Sequence, residues 1–408
     1  MPSRSPRPRL RLLGVVLLGI GIVLGALGPA TAVPVNQSIT IPSRATVTFT
    51  GHGFGHGIGM SQYGARGAAR AGLSSSQILG FYYPGTQQTT AADVWVDVRI
   101  TKDSDGDVQV AYRNNLQVVD RHTGSRFTVP GGRSSTWRLA SWGDRTTLTY
   151  WANGRWTNYH WSPGTLEFYA DGSPITLLTN NNRTRTQYRG FLKAAVPSPG
   201  SWRRETVNSL PLDFYLRGVV PHEMPSSWEP AALQAQAVAA RTYAMRLRAQ
   251  PATSYYHLCD TTSCQVYGGY GAEAQRSSDA IVATSRRILT VNGTPALTQY
   301  SSSNGGWSAR GSQSYLPAKQ DPYDTPAINP NHSWRVSFTD ADFERRWPQL
   351  GDLTGLTVTD RTGDGKWSGR VNSLTLRGTR GSVTLTGAQV RSSFGLKSTW
   401  FAVSAAQR

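Results

Sequence analysis

Five glycines stand at every second position in the run Gly51-His52-Gly53-Phe54-Gly55-His56-Gly57-Ile58-Gly59, and that spacing limits the fold more than any other feature of the chain. Glycine weakens helices and packed strands alike, because it loses the most backbone freedom on ordering. What it permits is positive φ and close approach of another backbone. A phosphate cradle is the first use to test. The Gly-Lys-Ser/Thr ending of a phosphate loop is absent, and the dinucleotide spacing Gly-x-Gly-x-x-Gly fits in no register. The glycines instead suit a tight polar loop. In it His52 and His56 either offer imidazoles to sugar hydroxyls or sit as structurally satisfied side chains.

Around this run the predicted elements form a small module over residues 45–90. A strand candidate, Val47-Thr48-Phe49-Thr50, leads in; a helix is expected around Tyr63–Ala71 with Gly72 as its stop, then another at Gln77–Tyr82 before the Pro84-Gly85 turn. From residue 94 to 196 short alternating runs such as Thr147-Leu148-Thr149-Tyr150-Trp151 are separated by turn signals, which predicts a β-rich inserted lobe. Its Trp137, Trp142, Trp151, Trp156 and Trp161 fit core positions first and sugar stacking second. Pro230 suits a first helical position, and Leu233, Ala237, Ala240, Ala244 and Leu247 make one helical stripe, with Arg241 and Tyr243 off it. Ser277–Ile288 reads as a further helix, and Ile288–Tyr300 as a hairpin turning at Asn292-Gly293. Alternation returns over residues 353–401. The whole is an α+β fold of mixed helices and strands around a cleft.

The first 32 residues carry four arginines, an apolar run from Leu12 to about Leu27 and the small-residue site Ala30-Thr31-Ala32, the pattern of a secretory signal peptide. No later stretch is long and apolar enough to span a bilayer, so no stable membrane span is expected after its removal. Formal net charge is +18, and removing the four leader arginines leaves +14. Such a field attracts anionic wall polymers or membrane surfaces. Nucleic acid is disfavoured, because the arginines are scattered singly and no finger, helix-turn-helix or RNA-binding aromatic signature organises base contacts. Cys259 and Cys264, with His257 upstream, leave two readings: an extracellular disulfide, or a three-ligand zinc site.

Several catalytic patterns fail. Neither Ser61 nor Ser302 sits in a Gly-x-Ser-x-Gly elbow, and His222-Glu223 is followed by Met224-Pro225-Ser226 rather than by the second histidine of a zinc hydrolase. No cofactor or metal pattern stands out. What remains is Glu223, held between Pro221 and Pro225 beside Val219, Val220 and Met224. A carboxyl in such surroundings gains a raised pKa and general-acid character, although a glutamate near a helix start is also commonplace.

The run from Asn208 to Pro225, containing Leu216-Arg217-Gly218-Val219-Val220-Pro221-His222-Glu223-Met224-Pro225, resembles the SpoIID/LytB family of sporulation and wall proteins. So do Leu233–Ala244, Cys264-Gln265-Val266-Tyr267-Gly268-Gly269, Tyr300–Gly306 and Val390–Ser398. Gly55-His56-Gly57-Ile58-Gly59-Met60-Ser61-Gln62-Tyr63-Gly64-Ala65 matches the family's glycine-histidine signature, but stands ahead of the β-rich stretch instead of near the C-terminus. A circular permutation explains that displacement. The resemblance implies a SpoIID-like domain over residues 205–401, completed by the module at 45–90. It also implies a secreted, cell-wall enzyme that cuts peptidoglycan glycan strands as a lytic transglycosylase, or else a non-catalytic enhancer of a wall amidase. Glu223 takes the catalytic role; His52, His56, Ser61, Gln62, Gln236, Arg241, Gln265 and Tyr267 become substrate-binding candidates. In zinc-binding relatives the histidine stands further from the first cysteine than His257 does from Cys259, which favours the disulfide.

Overall fold

The computed structural model of the protein describes residues 37–408; the leader expected over residues 1–32 lies outside the described residues. Helices and strands alternate irregularly around several sheets, an α+β fold. No helix among the described residues is long and apolar enough to cross a membrane.

Two large sheets pack face to face. One runs, in spatial order, Arg155–Ser162, Arg145–Ala152, Thr136–Trp142, Val108–Ala111, Ile175–Thr179, Thr184–Tyr188. The other runs Leu258–Cys259, Trp95–Arg99, Glu205–Pro211, Phe191–Ala195, Leu166–Tyr169, Gln117–Asp120, Arg126–Thr128. Alternation along these strands sends Val96, Val98, Trp137, Leu139, Leu148, Phe168 and Leu192 into one shared core. The second sheet takes strands from both sides of residue 200. The β-rich stretch is therefore continuous with the segment that carries Glu223.

Helix α1 (Gln62–Arg70) is capped by Ser61, and α2 (Ser75–Tyr82) by a reciprocal Ser74/Gln77 box. Both pack on the long helix α5 (Pro230–Ala249), which follows the short α3 (Leu212–Arg217) and α4 (Val220–Glu223). The single stripe expected on α5 is too narrow. Ala237, Ala240 and Ala244 join the sandwich core, while Ala232, Leu233, Ala235, Val238 and Ala239 join a second core with α1 and α2. Alanine is small enough for both faces to be approached closely, so the helix is buried nearly all round and its periodicity is masked. Helix α6 (Gln275–Ala283) ends earlier than the pattern suggests; Ile288 already belongs to the strand Arg287–Val291, which turns at Asn292-Gly293 into Thr294–Pro295 as expected.

In the C-terminal region the strand Ala45–His52 lies between Ser333–Thr339 and Phe401–Gln407. Phe49 meets Phe343, Phe394 and Phe401 there. A four-stranded sheet of Gln37–Thr40, Leu353–Arg361, Val371–Gly378 and Ser382–Thr386 completes this core. Helices α7 (Asp340–Arg346) and α8 (Gly387–Phe394) interrupt the strands, each opened by a capping box, Thr339/Asp342 and Thr386/Gln389. Alternation on either side hides α8 from a pattern reading, although its Thr-x-x-Gln start is visible in the sequence.

Candidate active site

Gly53, Gly55, Gly57 and Gly59 all adopt positive φ, between +69° and +101°. This winds the loop closely against residues 299–309. A Cβ on Gly59 would lie 2.0 Å from the Gln299 carbonyl oxygen, and one on Gly53 2.8 Å from that of Ser303. Met60-Ser61 then pairs in parallel with Tyr300-Ser301. Gly51 is different: it is a strand residue with Trp334 lying over it.

One buried carboxylate, Asp324, ties these pieces together. It accepts from Ser61 Oγ at 2.8 Å, Ser303 Oγ at 2.9 Å and the amides of Asn304 and Gly305 at 3.0 and 3.1 Å, and from the Asn329 side chain. His332 Nδ1 lies 3.4 Å away. Burial alone would raise its pKa, but the bonds from His332, Asn329, Ser61 and Ser303 hold it below the usual carboxylate range. Ser61 also caps α1, so the hub fixes the start of that helix and with it the next residue, Gln62.

Gln62 Nε2 donates to Glu223 Oε2 at 3.3 Å, across 161 residues of sequence. The glycine module and the Glu223 segment thus meet at a cleft of about 770 Å³. Its walls come from 54–56 with Gln62, from His222 and Glu223, from Tyr243 on α5, from 262–266, from 299–302, and from Arg391 on α8. Glu223 ends the short helix α4 and is half-buried. Burial pushes its carboxyl above the usual range, and hydrogen bonds with Gln62 and Tyr300 pull it partly back. Tyr300 is oriented in turn: its hydroxyl accepts from Gln265 Nε2 at 2.7 Å, and Gln265 Oε1 accepts from Tyr215 at 3.3 Å. The Tyr300 proton is thereby left free for Glu223.

His56 Nδ1 accepts from the Ile58 amide at 2.9 Å, which places its proton on Nε2. Desolvation in the cleft, with the charges of Arg370 and Arg391, pushes its pKa down, which favours the neutral ring. The structure therefore brings His56, Gln62, Gln265 and Glu223 together around the cleft.

Five other sequence candidates do not line it. His52 Nδ1 donates to the His332 carbonyl at 3.1 Å and its ring packs on Trp367 and Trp400. Ser61 serves Asp324. Gln236 is fully buried in α5, its amide without a partner among the described residues. Arg241 pairs with Asp213 at 2.8 Å and donates to the Ile281 carbonyl at the end of α6. Tyr267 donates to Asn208 Oδ1 at 2.8 Å and stacks near Tyr215. His52, Ser61, Arg241 and Tyr267 have their polar groups engaged by scaffold, and their part is to hold the walls. Sequence reasoning gave no role to Tyr243, Tyr300 or Arg391, which do line the cleft. The available signals were the family-like runs Tyr300–Gly306, Leu233–Ala244 and Val390–Ser398, which contain these three residues.

Cys259 and Cys264 form a disulfide with Cα atoms 5.5 Å apart. His257 Nδ1 accepts from the Asp97 amide at 2.9 Å, so that nitrogen is committed to the sheet edge.

The site defines a class: an α+β protein with a polar cleft built on one half-buried carboxyl. Residues 202–291 match the family model described as stage II sporulation protein, SpoIID. The chain is 37% identical over 130 residues to the amidase enhancer of Bacillus subtilis (strain 168), covering 30% of this chain and 17% of that protein. It is 29% identical over 240 residues to stage II sporulation protein D of the same organism, covering 52% and 66% respectively. With stage II sporulation protein D of Bacillus amyloliquefaciens it shares 27% over 219 residues, covering 48% and 61%. In each case the match spans less than two thirds of the relative's length.

Proposed function

We propose that the protein is a secreted cell-wall enzyme that cuts peptidoglycan glycan strands as a lytic transglycosylase, with Glu223 as its acid and base. The observation that carries this reading is that Glu223 is the one carboxyl among the described residues lining the cleft. A glycoside hydrolase normally needs a second carboxylate roughly 5–9.5 Å from the first. The acids nearest in sequence are engaged elsewhere: Asp213 with Arg241 and Ser285, and Glu229 with Arg66 and Arg70. A transglycosylase needs only one, because the substrate supplies the nucleophile. Glu223, its carboxyl pushed up by burial, gives its proton to the glycosidic oxygen as the bond to C1 of N-acetylmuramic acid breaks. The carboxylate left behind takes the proton of the C6 hydroxyl as that oxygen closes on C1. The Tyr300 and Gln62 hydrogen bonds stabilise the carboxylate between the two transfers. The excess positive charge suits retention among anionic wall polymers.

The 37% identity with a protein named amidase enhancer favours a second reading, in which the cleft grips glycan without cutting it and assists a wall amidase. Incubating the purified chain with glycan strands stripped of stem peptides separates the two. New 1,6-anhydromuramyl ends support the first reading. Reducing ends, one water heavier, refute ring closure, and tight binding without any new ends favours the second reading.

A further inference from the structure

The three-stranded meander Thr136–Trp142, Arg145–Ala152, Arg155–Ser162 buries one face in the sandwich core and turns the other outward. Register places Trp142 opposite Arg145, Thr147 opposite Trp161, and Trp151 opposite Trp156, so all four tryptophans share the outward face. Trp142, Trp151 and Trp161 are 59%, 46% and 48% exposed. Folding gains little from indoles left so wet, and exposed aromatic rings gathered on one face mark a binding site. The rings form two groups. Arg145 lies 4.1 Å from the Trp161 centroid beside Trp142; Arg138 lies 4.1 Å from that of Trp156, which meets Trp151 edge to face at 5.3 Å. Four residues of strand separate the groups, about 14 Å.

We propose that this face is a second carbohydrate-binding site, taking a glycan strand that bears carboxylates. Pyranose rings offer flat C–H faces for indoles to cover and hydroxyls for the guanidinium edges. Arg138 is paired with Asp107 at 3.5 Å, whereas Arg145, stacked on Trp161, has no ion pair among the described residues and can turn its outer N–H groups to an anionic substituent. A membrane is the poorer fit, because between the rings this face carries arginine, alanine and asparagine, with Thr147 and Thr149 buried, and no large aliphatic side chain to enter lipid.

The test is sedimentation of the full chain, carrying Glu223→Gln so that strands are not consumed, with stem-peptide-free peptidoglycan strands. Trp142→Ala/Trp161→Ala is expected to weaken binding about tenfold per ring, and Trp142→Tyr/Trp161→Tyr to recover most of it. Equal binding by the alanine pair and the parent overturns the proposal. So does a loss confined to vesicles of anionic phospholipid, the membrane alternative. Because the readout is binding, the site stands if the wild type makes no new strand ends, a result that would sink only the cleavage reading.

Discussion

Replacing Asp324 tests whether the buried hub holds the cleft together, and the structure sets the size of the effect. In Asp324→Ala not every donor is stranded. Ser61 can rotate its hydroxyl, and the Gly305 amide also reaches Ser303 Oγ at 3.0 Å. The Asn304 amide and one N–H of Asn329 lose their acceptor outright. Each such buried orphan costs about 1–3 kcal/mol, so the variant should lose about 4 kcal/mol of a total on the order of 5–15 kcal/mol and remain folded. Asp324→Asn keeps an oxygen for Asn304 but turns its amide NH2 toward the Asn329 side-chain donor, a conflict costing about 1–3 kcal/mol. Urea unfolding at neutral pH should rank wild type above Asn above Ala, at similar m-values. The sign with pH is fixed as well. The hub lowers the folded-state pKa of Asp324, so its contribution is complete above the ordinary carboxyl range and disappears as pH falls through the depressed value. The gap between wild type and Asp324→Ala should therefore narrow in acid. A loss below about 1 kcal/mol for Ala, or a gap unchanged by acid, would refute this reasoning.

Glu223→Gln should leave a folded, glycan-binding protein that releases no 1,6-anhydromuramyl ends, a fall of about 10⁴-fold or more by product analysis. Its melting point at neutral pH should not drop, because the amide removes a carboxyl that burial disfavours in ionised form. Asp103 is pushed up to about 8 by burial and by Asp105 and Asp107. Its protonated form stabilises the fold at low pH, and that stability is lost as pH rises through about 8, so Asp103→Asn should flatten the decline in calorimetric scans between pH 4 and 9. Gly59→Ala should destabilise by about 2 kcal/mol or more in urea and cut activity, because its Cβ would meet the Gln299 carbonyl at a positive φ; a neutral outcome would mean that the loop backbone can move away.

Much of this was legible in the sequence, and the exceptions share a physical cause. Caps and turns are local chemistry, so α1, α2 and the Asn292-Gly293 hairpin were readable from a few residues. The pairing of the glycine module with the Glu223 segment was legible only as a displaced signature, and the Gln62 to Glu223 bond is its geometric counterpart. Polar residues in shared motifs were harder, because a motif records that a side chain is required without saying what it touches. Arg241 and Tyr267 are required by the scaffold, as Gln265 is by the chain leading to Glu223. The exposed tryptophans failed for a related reason: alternation says that one face of a strand is outward, but a strand rich in aromatics on both faces does not declare which face is buried.

The central position of Ala45–His52 has a consequence for how the chain comes to be folded. Its two neighbours in the sheet end at residues 339 and 407, and Gln37 bonds to Val403 across 366 residues. During synthesis this strand waits, both edges bare, until nearly every other residue has been made. Closing so long a loop is entropically unfavourable and yields no contacts until it is complete, which makes this unit slow to form. A chain stopped before residue 401 keeps a permanent open edge beside the aromatic cluster of Phe49, and is expected to aggregate rather than to persist as a smaller working protein.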